Sequence, residues 1–389
     1  MENVEQTINR RDILKVGSLV GAVALGGLLS PMQAVSQPFK NPTRDKPLLL
    51  DSNENAYGFS SLIEKNLVKE LTNMSLYPIK PEQQLLTDIA KFYNVKEDRV
   101  CLTNGSSAAL QSALYAVNKM AQEANLPLRI IVPNPTFEFI EAYAKPLDPE
   151  IIKVELDSKF NFDIDKMKKS EMEFDGVSLV YICNPNNPTG NIANPNDLYS
   201  WVRNAKSTTI FLFDESYAEY VADSGFKSGI DMLKGGAKNI IITRTFSKVY
   251  GLAGCRIGYV LTTPELQKRV SEFLQLVGIN FVGAKAASIA LKDFNFRQYT
   301  INSNIKSREI VTRTLDSLGL KYAPSHGNFI FHEIAGDFDD FVKNMKNQNV
   351  LVGRKFDVYD NFCRVTLGTP DQMQYYVKLL KNFREKRYI

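Results

Sequence analysis

Residues 241–259 read IITRTFSKVYGLAGCRIGY. Two short apolar runs, at 239–243 and 257–261, bracket a polar segment with one lysine, Lys248, and one interior arginine, Arg256. Short, partly β-branched runs of this kind predict buried strands. Between them Thr245, Ser247, Gly251 and Gly254 supply hydroxyls and permissive backbone, which suits a loop that closes on a ligand. A lysine held between buried strands loses hydration, and desolvation favours its neutral, nucleophilic amine. For an isolated Ser-Lys pair the plain reading is a solvated surface loop. What precedes and follows this segment decides between the two.

Upstream, residues 207–220 read STTIFLFDESYAEY, a fully apolar strand ending in Asp214 with Tyr217 three residues on. Read alone, Asp214 is as well explained as a helix N-cap, with Glu215 solvated. Residues 177–191, VSLVYICNPNNPTGN, give another strand followed by a proline-flanked turn that carries Asn187. A third strand, 99–103, runs into Thr103-Asn-Gly-Ser-Ser107, so Gly105, Ser106 and Ser107 stand at the start of a helix reaching residue 120. Free N–H groups there favour an anion, although serines at a helix start are more often only caps. The strand at 129–133 leads to PNPTFEFIEAYA, with Phe137 at the helix entrance. Strand ends bearing Gly105, Asn187, Asp214 and Lys248 fit a ligand at the carboxyl edge of an open α/β sheet.

The rest of the chain reads differently at its two ends. Residues 264–276, 282–291 and the stretch to 318 have helical spacing. Strands at 328–332, 350–352 and 364–367 then alternate with helices at 338–347 and 371–383, which predicts a small α+β unit. The 389 residues accommodate one large and one small domain. A formal charge of +4 gives no footprint for nucleic acid, and 44% apolar with 23% charged residues is the balance of a globular chain. Cys101, Cys183, Cys255 and Cys363 are far apart and beside apolar runs, so buried free thiols are expected; with His326 and His332 as the imidazoles, no zinc spacing arises.

The full pattern R-T-x-S-K-x-x-G-L-A-G-x-R-x-G-Y resembles the lysine segment of the class I/II, fold-type I, pyridoxal-phosphate aminotransferases. Within that group it is most similar to the histidinol-phosphate aminotransferases. The resemblance covers roughly residues 48–385. It implies a mostly parallel central sheet with flanking helices, a small α+β C-terminal domain, and pyridoxal 5'-phosphate bound through Lys248. It implies that Asp214 faces the cofactor's pyridine nitrogen, that Asn187 and Tyr217 donate to the ring oxygen, and that Phe137 stacks on the ring. Gly105, Ser106, Ser107, Thr245, Ser247 and Arg256 take the phosphate. Tyr77, in the Tyr77-Pro78 pair of SLYPIKPEQQLLTDIAKFY, takes the position of a tyrosine that reaches the phosphate of a neighbouring subunit in relatives; a tyrosine packing a helix entrance is the local alternative. That position implies a homodimer with shared active sites.

The segment FCRVTLGTP places Arg364 where relatives grip the substrate carboxylate with a planar guanidinium. LLLDSNENAYGFS resembles the arm near the substrate and adds Asn53 and Tyr57 as candidates, and Asn328-Phe329 adds Asn328. Arg354 completes the substrate set. Many histidinol-phosphate enzymes read V-R after the strand here at 350–352, whereas this chain reads Val352-Gly353-Arg354, which displaces the arginine by one residue and redirects it if the segment is extended. The expected reaction is amino transfer between an amino acid, or a histidinol-phosphate-like amine, and a 2-oxo acid. A decarboxylase or other lyase on the same scaffold is the alternative, and a non-catalytic ligand-binding regulator a more distant one.

The N-terminus is an address. Arg10 and Arg11 precede the apolar, glycine-rich run VGSLVGAVALGGLLS and the small-residue stretch 32–36. This resembles a twin-arginine export signal, and the run is too short for a stable membrane span. A basic N-terminus on a cytoplasmic enzyme, or an uncleaved anchor, is the alternative. The expected organisation is a signal segment at 1–36, an arm at 37–60, a large cofactor-binding domain at 61–285, and a linking helix with a small domain at 286–389.

Overall fold

The computed structural model describes residues 39–389, which form one compact unit. The export-like signal lies outside the described residues. In chain order the strands are β1 (Leu48–Leu50), β2 (Val100–Thr103), β3 (Leu128–Asn134), β4 (Glu150–Glu155), β5 (Val177–Cys183), β6 (Thr209–Asp214), β7 (Ile240–Thr245), β8 (Gly258–Thr262), β9 (Phe329–Glu333), β10 (Val350–Val352) and β11 (Phe362–Thr366). Among the described residues, β2-β8-β7-β6-β5-β3-β4 form a seven-stranded sheet. Its pairs are parallel except those of β8, which runs antiparallel to both β2 and β7.

Every residue of β5, β6 and β7 is buried, as expected of parallel strands covered by helices on both faces. The two-residue period divides their side chains between two cores. Leu179, Tyr181, Leu212 and Ile241 join the helix Gly105–Glu123 on one face. Val180, Ile182, Phe211, Phe213, Ile240 and Ile242 join the other, with Trp201 and the helix Phe281–Lys292. A third core gathers Ile330, Val365 and Cys363 of the antiparallel β9–β11 pair against the helices Phe294–Leu318, Phe338–Asn347 and Pro370–Glu385.

Three local expectations need correcting. The arm contains a strand: β1 pairs in parallel with β10, Leu48 opposite Val350, which tethers residues 51–54 beside the C-terminal strands. The helix expected over 264–276 is Pro264–Ser271. Beyond it, Asn104 donates to Gln275 and to the Gly278 carbonyl, and Glu82 accepts from the Ile279 amide at 2.6 Å, so side chains hold residues 275–279 in place of a helical ladder. Three cysteines are buried free thiols, but Cys255 is only partly covered.

Candidate active site

The carboxyl ends of the parallel strands and the β7–β8 connection meet at a cavity of about 320 Å³. β5 delivers Asn187, β6 Asp214 and Tyr217, β3 Phe137, and the connection from β7 to β8 Ser247, Lys248 and Arg256. Ser106 and Ser107 enter from the first turn of the helix Gly105–Glu123, Arg364 from β11, and Asp51, Ser52 and Asn53 from the arm. Ligand binding at this sheet edge follows from topology, because successive parallel strands release their loops on the same side.

One end of the cavity is an anion cradle. Thr245 Oγ1 donates to Ser247 Oγ at 2.8 Å and accepts from the Ser247 amide at 3.1 Å, which fixes both hydroxyls. Arg256 adopts φ +56° and donates to the Ala253 carbonyl at 3.0 Å and to Ser247 Oγ at 3.4 Å. Gly105 sits at φ +79°, and a Cβ there would collide with the Arg256 guanidinium. Glycine is therefore what lets the arginine lie against the helix start.

At the centre, Lys248 Nζ donates to the Ser52 and Asn53 carbonyls at 3.2 and 3.1 Å and lies 5.6 Å from the centre of the Tyr217 ring. Burial, then the charge of Arg364, lowers its pKa from 10.5 to about 8, against the opposing pull of Glu54 and Asp214. Asp214 is 2% exposed. Its carboxylate accepts from Ser216 Oγ at 2.5 Å, the Ser216 amide at 3.1 Å and the Tyr181 hydroxyl at 3.2 Å. Burial still pushes its pKa above the ordinary carboxylate range. Burial likewise raises the Tyr217 phenol, whose oxygen accepts from Asn53 Nδ2 at 3.1 Å.

Arg364 donates to Asn187 Oδ1 at 2.9 Å and to the Asp51 carbonyl, and its Nε is buried with no partner. The strap 51–54 thus offers four consecutive carbonyls to the site: Asp51 to Arg364, Ser52 to Lys248, Asn53 to Lys248 and Asn328, Glu54 to Asn328. Asn53, at φ +54°, is the hub; its amide also donates to Thr366 Oγ1 at 2.8 Å.

The other candidates sit around this centre. Asn328 acts on the strap from behind. Tyr57 packs edge-on against Tyr299, with ring centres 5.1 Å apart, and does not line the cavity. Arg354 lines a neighbouring cavity of about 410 Å³ that shares Asp51 and Arg364 with the first. Tyr77 is 76% exposed on the surface.

Sequence reasoning missed a buried ion-pair network directly behind the site. Arg244 of β7 donates to Glu215 at 2.5 and 2.9 Å and to Glu219 at 2.9 Å, and Glu215 also accepts from the Gly229 amide at 2.6 Å and Ser228 Oγ at 2.6 Å. Glu215 is wholly buried, not solvated. The signal was present: a charged residue inside the apolar run 240–245 must find a buried partner. The strap carbonyls left no comparable trace, because any residue type supplies a backbone oxygen.

Residues 45–380 match the profile for aminotransferase class I and II. The chain belongs to the aminotransferase class I and II family. It is 31% identical over 334 residues to a histidinol-phosphate aminotransferase of Moorella thermoacetica, covering 85% of this chain and 84% of that one. The crystal structure of a histidinol-phosphate aminotransferase candidate from Erwinia carotovora atroseptica SCRI1043 superimposes with a TM-score of 0.87 at 33% identity, covering 90% of this chain and all of that one. A histidinol-phosphate aminotransferase of Sinorhizobium meliloti, solved with pyridoxal-5'-phosphate, shares the fold with a TM-score of 0.76 at 19% identity over 85% of this chain and 89% of that one. This aminotransferase is therefore a pyridoxal-phosphate-dependent enzyme that acts on amino acids and 2-oxo acids.

The residues present fit that cofactor. The Gly105–Arg256 cradle has the charge and close backbone approach that a phosphate requires. Asp214 is a buried carboxylate held by neutral donors, so a protonated ring nitrogen placed against it would relieve the cost of its burial.

Proposed function

We propose that this aminotransferase moves an amino group between an amino acid, or a histidinol-phosphate-like amine, and a 2-oxo acid, with Lys248 as the residue that transfers the proton. When bound, pyridoxal phosphate supplies an electron-withdrawing ring that acidifies the α C–H of the attached amine. Lys248 Nζ accepts that proton and gives it back, acting as base and then acid; its lowered pKa keeps a large share of the amine neutral near pH 8. Asp214 holds the ring nitrogen in its cationic form. Asn187 Oδ1 is taken by Arg364, which leaves its amide N–H groups to donate to the ring oxygen. Tyr217 accepts from Asn53, which leaves its hydroxyl proton for the same oxygen. Phe137 provides the stacking face. Gly105, Ser106, Ser107, Thr245, Ser247 and Arg256 hold the phosphate, and Arg364 binds the substrate carboxylate with Asn53 and Asn328 fixing the strap beside it. Tyr57 packs on Tyr299 outside the cavity and takes no part in this reading, and Arg354 reaches only the adjoining cavity.

The observation that carries this reading is the convergence of Lys248, Asp214 and Arg364 on one cavity. The test is a donor and acceptor screen on wild type and Lys248→Ala. Oxo acid formed in proportion to donor consumed, and lost with Lys248, is the expected result. Carbon dioxide release without oxo acid would instead assign a decarboxylase.

The active unit in this reading is a homodimer. Exposed Leu76, Tyr77 and Ile79, and exposed Leu276 and Val277, belong to two segments that the Glu82–Ile279 hydrogen bond joins. Asn104 ties the same patch to the cradle, so a second copy seated there brings its Tyr77 toward the phosphate. We read the large domain as 61–285 and the linking helix with the small domain as 286–389; the separate third core supports a distinct C-terminal unit, while the helix Phe281–Lys292 crosses that boundary and packs on the sheet. The twin-arginine-like segment directs export, with cytoplasmic residence as the outcome if it is inactive; no helix of the described residues is long and apolar enough to cross a membrane. Fractionation of the native protein distinguishes the two.

A further inference from the structure

Arg364 stands between two cavities. Toward Lys248 it faces the cofactor site; on its other side it lines the 410 Å³ cavity with Asp51, Asp339, Val352 and Arg354. Burial holds the Arg364 guanidinium below its ordinary pKa, and the charge of Arg354 is among the smaller contributions in the same direction. The two arginines therefore face a common space, positively charged where it meets the cofactor site.

Arg354 is not open in that space. Its guanidinium is ion-paired with Glu138 and lies 4.3 Å from the centre of the Phe356 ring. Glu138 directly follows Phe137, so the pair bridges the stacking position and the end of β10. Both partners are about half exposed. The one-residue shift to Val352-Gly353-Arg354 and an acidic residue at 138 meet at this point.

The charge balance separates two substrate classes. An α-carboxylate carries one negative charge, which the Arg364 fork matches. A phosphate monoester carries close to two at neutral pH and presents three acceptor oxygens. At this site it would have to displace Glu138 from Arg354 while approaching Asp51 and Asp339. Building repulsion against one ligand while matching another is how a site separates close competitors.

We propose that Glu138 is a specificity-determining residue: by occupying Arg354 it commits the site to amines bearing an α-carboxylate and disfavours amines bearing a phosphate monoester. This rests on the amino-transfer reading above and narrows it to amino-acid donors.

The test uses matched pairs in which a phosphooxymethyl group replaces the α-carboxylate, histidine with histidinol phosphate and phenylalanine with phenylalaninol phosphate. Binding is read by titration calorimetry on cofactor-loaded Lys248→Ala protein, so the preference is measured apart from turnover. The carboxylate member of a pair binds more tightly by about tenfold. Adding Glu138→Gln narrows that ratio by about fivefold, the upper range for a half-exposed ion pair. Adding Arg354→Gln as well abolishes the narrowing, because the released arginine is its source. Equal or tighter binding of the phosphate esters before any change at Glu138, binding of neither class, a ratio indifferent to Glu138→Gln, or a narrowing that survives loss of Arg354 would each overturn the proposal. If wild type forms no oxo acid from any donor while the binding preference persists, the amino-transfer reading falls and the role of Glu138 stands.

Discussion

A lysine with its ordinary pKa of 10.5 is almost wholly protonated at pH 8, whereas Lys248, lowered to about 8, is about half neutral there. Because the neutral amine is the nucleophile, the rate of cofactor uptake by the cofactor-free protein should rise with pH and level off above about 8. Stopped-flow absorbance checks this, and a profile still climbing toward pH 10.5 would refute the lowered pKa. Arg364 is the second-largest cause of the shift, so Arg364→Gln should move the midpoint upward. Gly105 gives a second prediction at this scale. Gly105→Ala adds a Cβ against Arg256 at φ +79°, and should weaken cofactor binding by about tenfold or more while far-ultraviolet circular dichroism is preserved. Unchanged affinity in an absorbance titration would mean that the cradle tolerates the methyl group. Lys248 stands out in the sequence between its bracketing strands, whereas the helix start at Gly105 is a weak sign by itself that gains weight only from the family resemblance. Their electrostatic consequences were not legible there, because a pKa depends on which distant groups the fold brings near.

Between elements, the Arg244–Glu215–Glu219 network fastens β7 to the residues that follow β6, and so holds Lys248 and Asp214 in register behind the cavity. Breaking a buried pair from one side leaves a charge without its partner, which is far costlier than the pair is worth. Glu215→Gln should therefore lower unfolding free energy by about 2–3 kcal/mol, less than a full orphaning because Glu219 still faces Arg244. Urea denaturation measures this, and a loss under about 0.5 kcal/mol would put the network outside the stabilising core. The strap 51–54 is the complementary element. It is anchored by β1 on β10 and by Asn53 on Thr366 and Tyr217, so the arm is part of the site's wall. The run LLL was visible in the sequence, but strand pairing across some 300 residues leaves no local signature in three apolar residues.

For the whole molecule, the exposed apolar patch at Leu76, Ile79, Leu276 and Val277 predicts self-association. Ile79→Glu with Leu276→Glu should convert dimers to monomers in light scattering and weaken cofactor binding through loss of the partner's Tyr77. Wild type of single-chain mass at micromolar concentration would dismiss the dimer. The sequence by itself determined where the apolar strands run along the chain and pointed to the residues proposed to carry the chemistry; the order of those strands in the sheet was set by the tertiary structure. Lys248, Asp214 and Asn187 follow apolar runs, and such runs end at loops on one edge of a parallel sheet. Only the tertiary structure decided what those residues face. The carbonyls of the arm that accept from Lys248 and the pairing of Arg354 with Glu138 join segments 195 or more residues apart, and the burial that lowers the Lys248 pKa likewise comes from the folded chain. Strand pattern is a local property of side-chain alternation, whereas electrostatic environment is set by groups that become neighbours only when the chain closes.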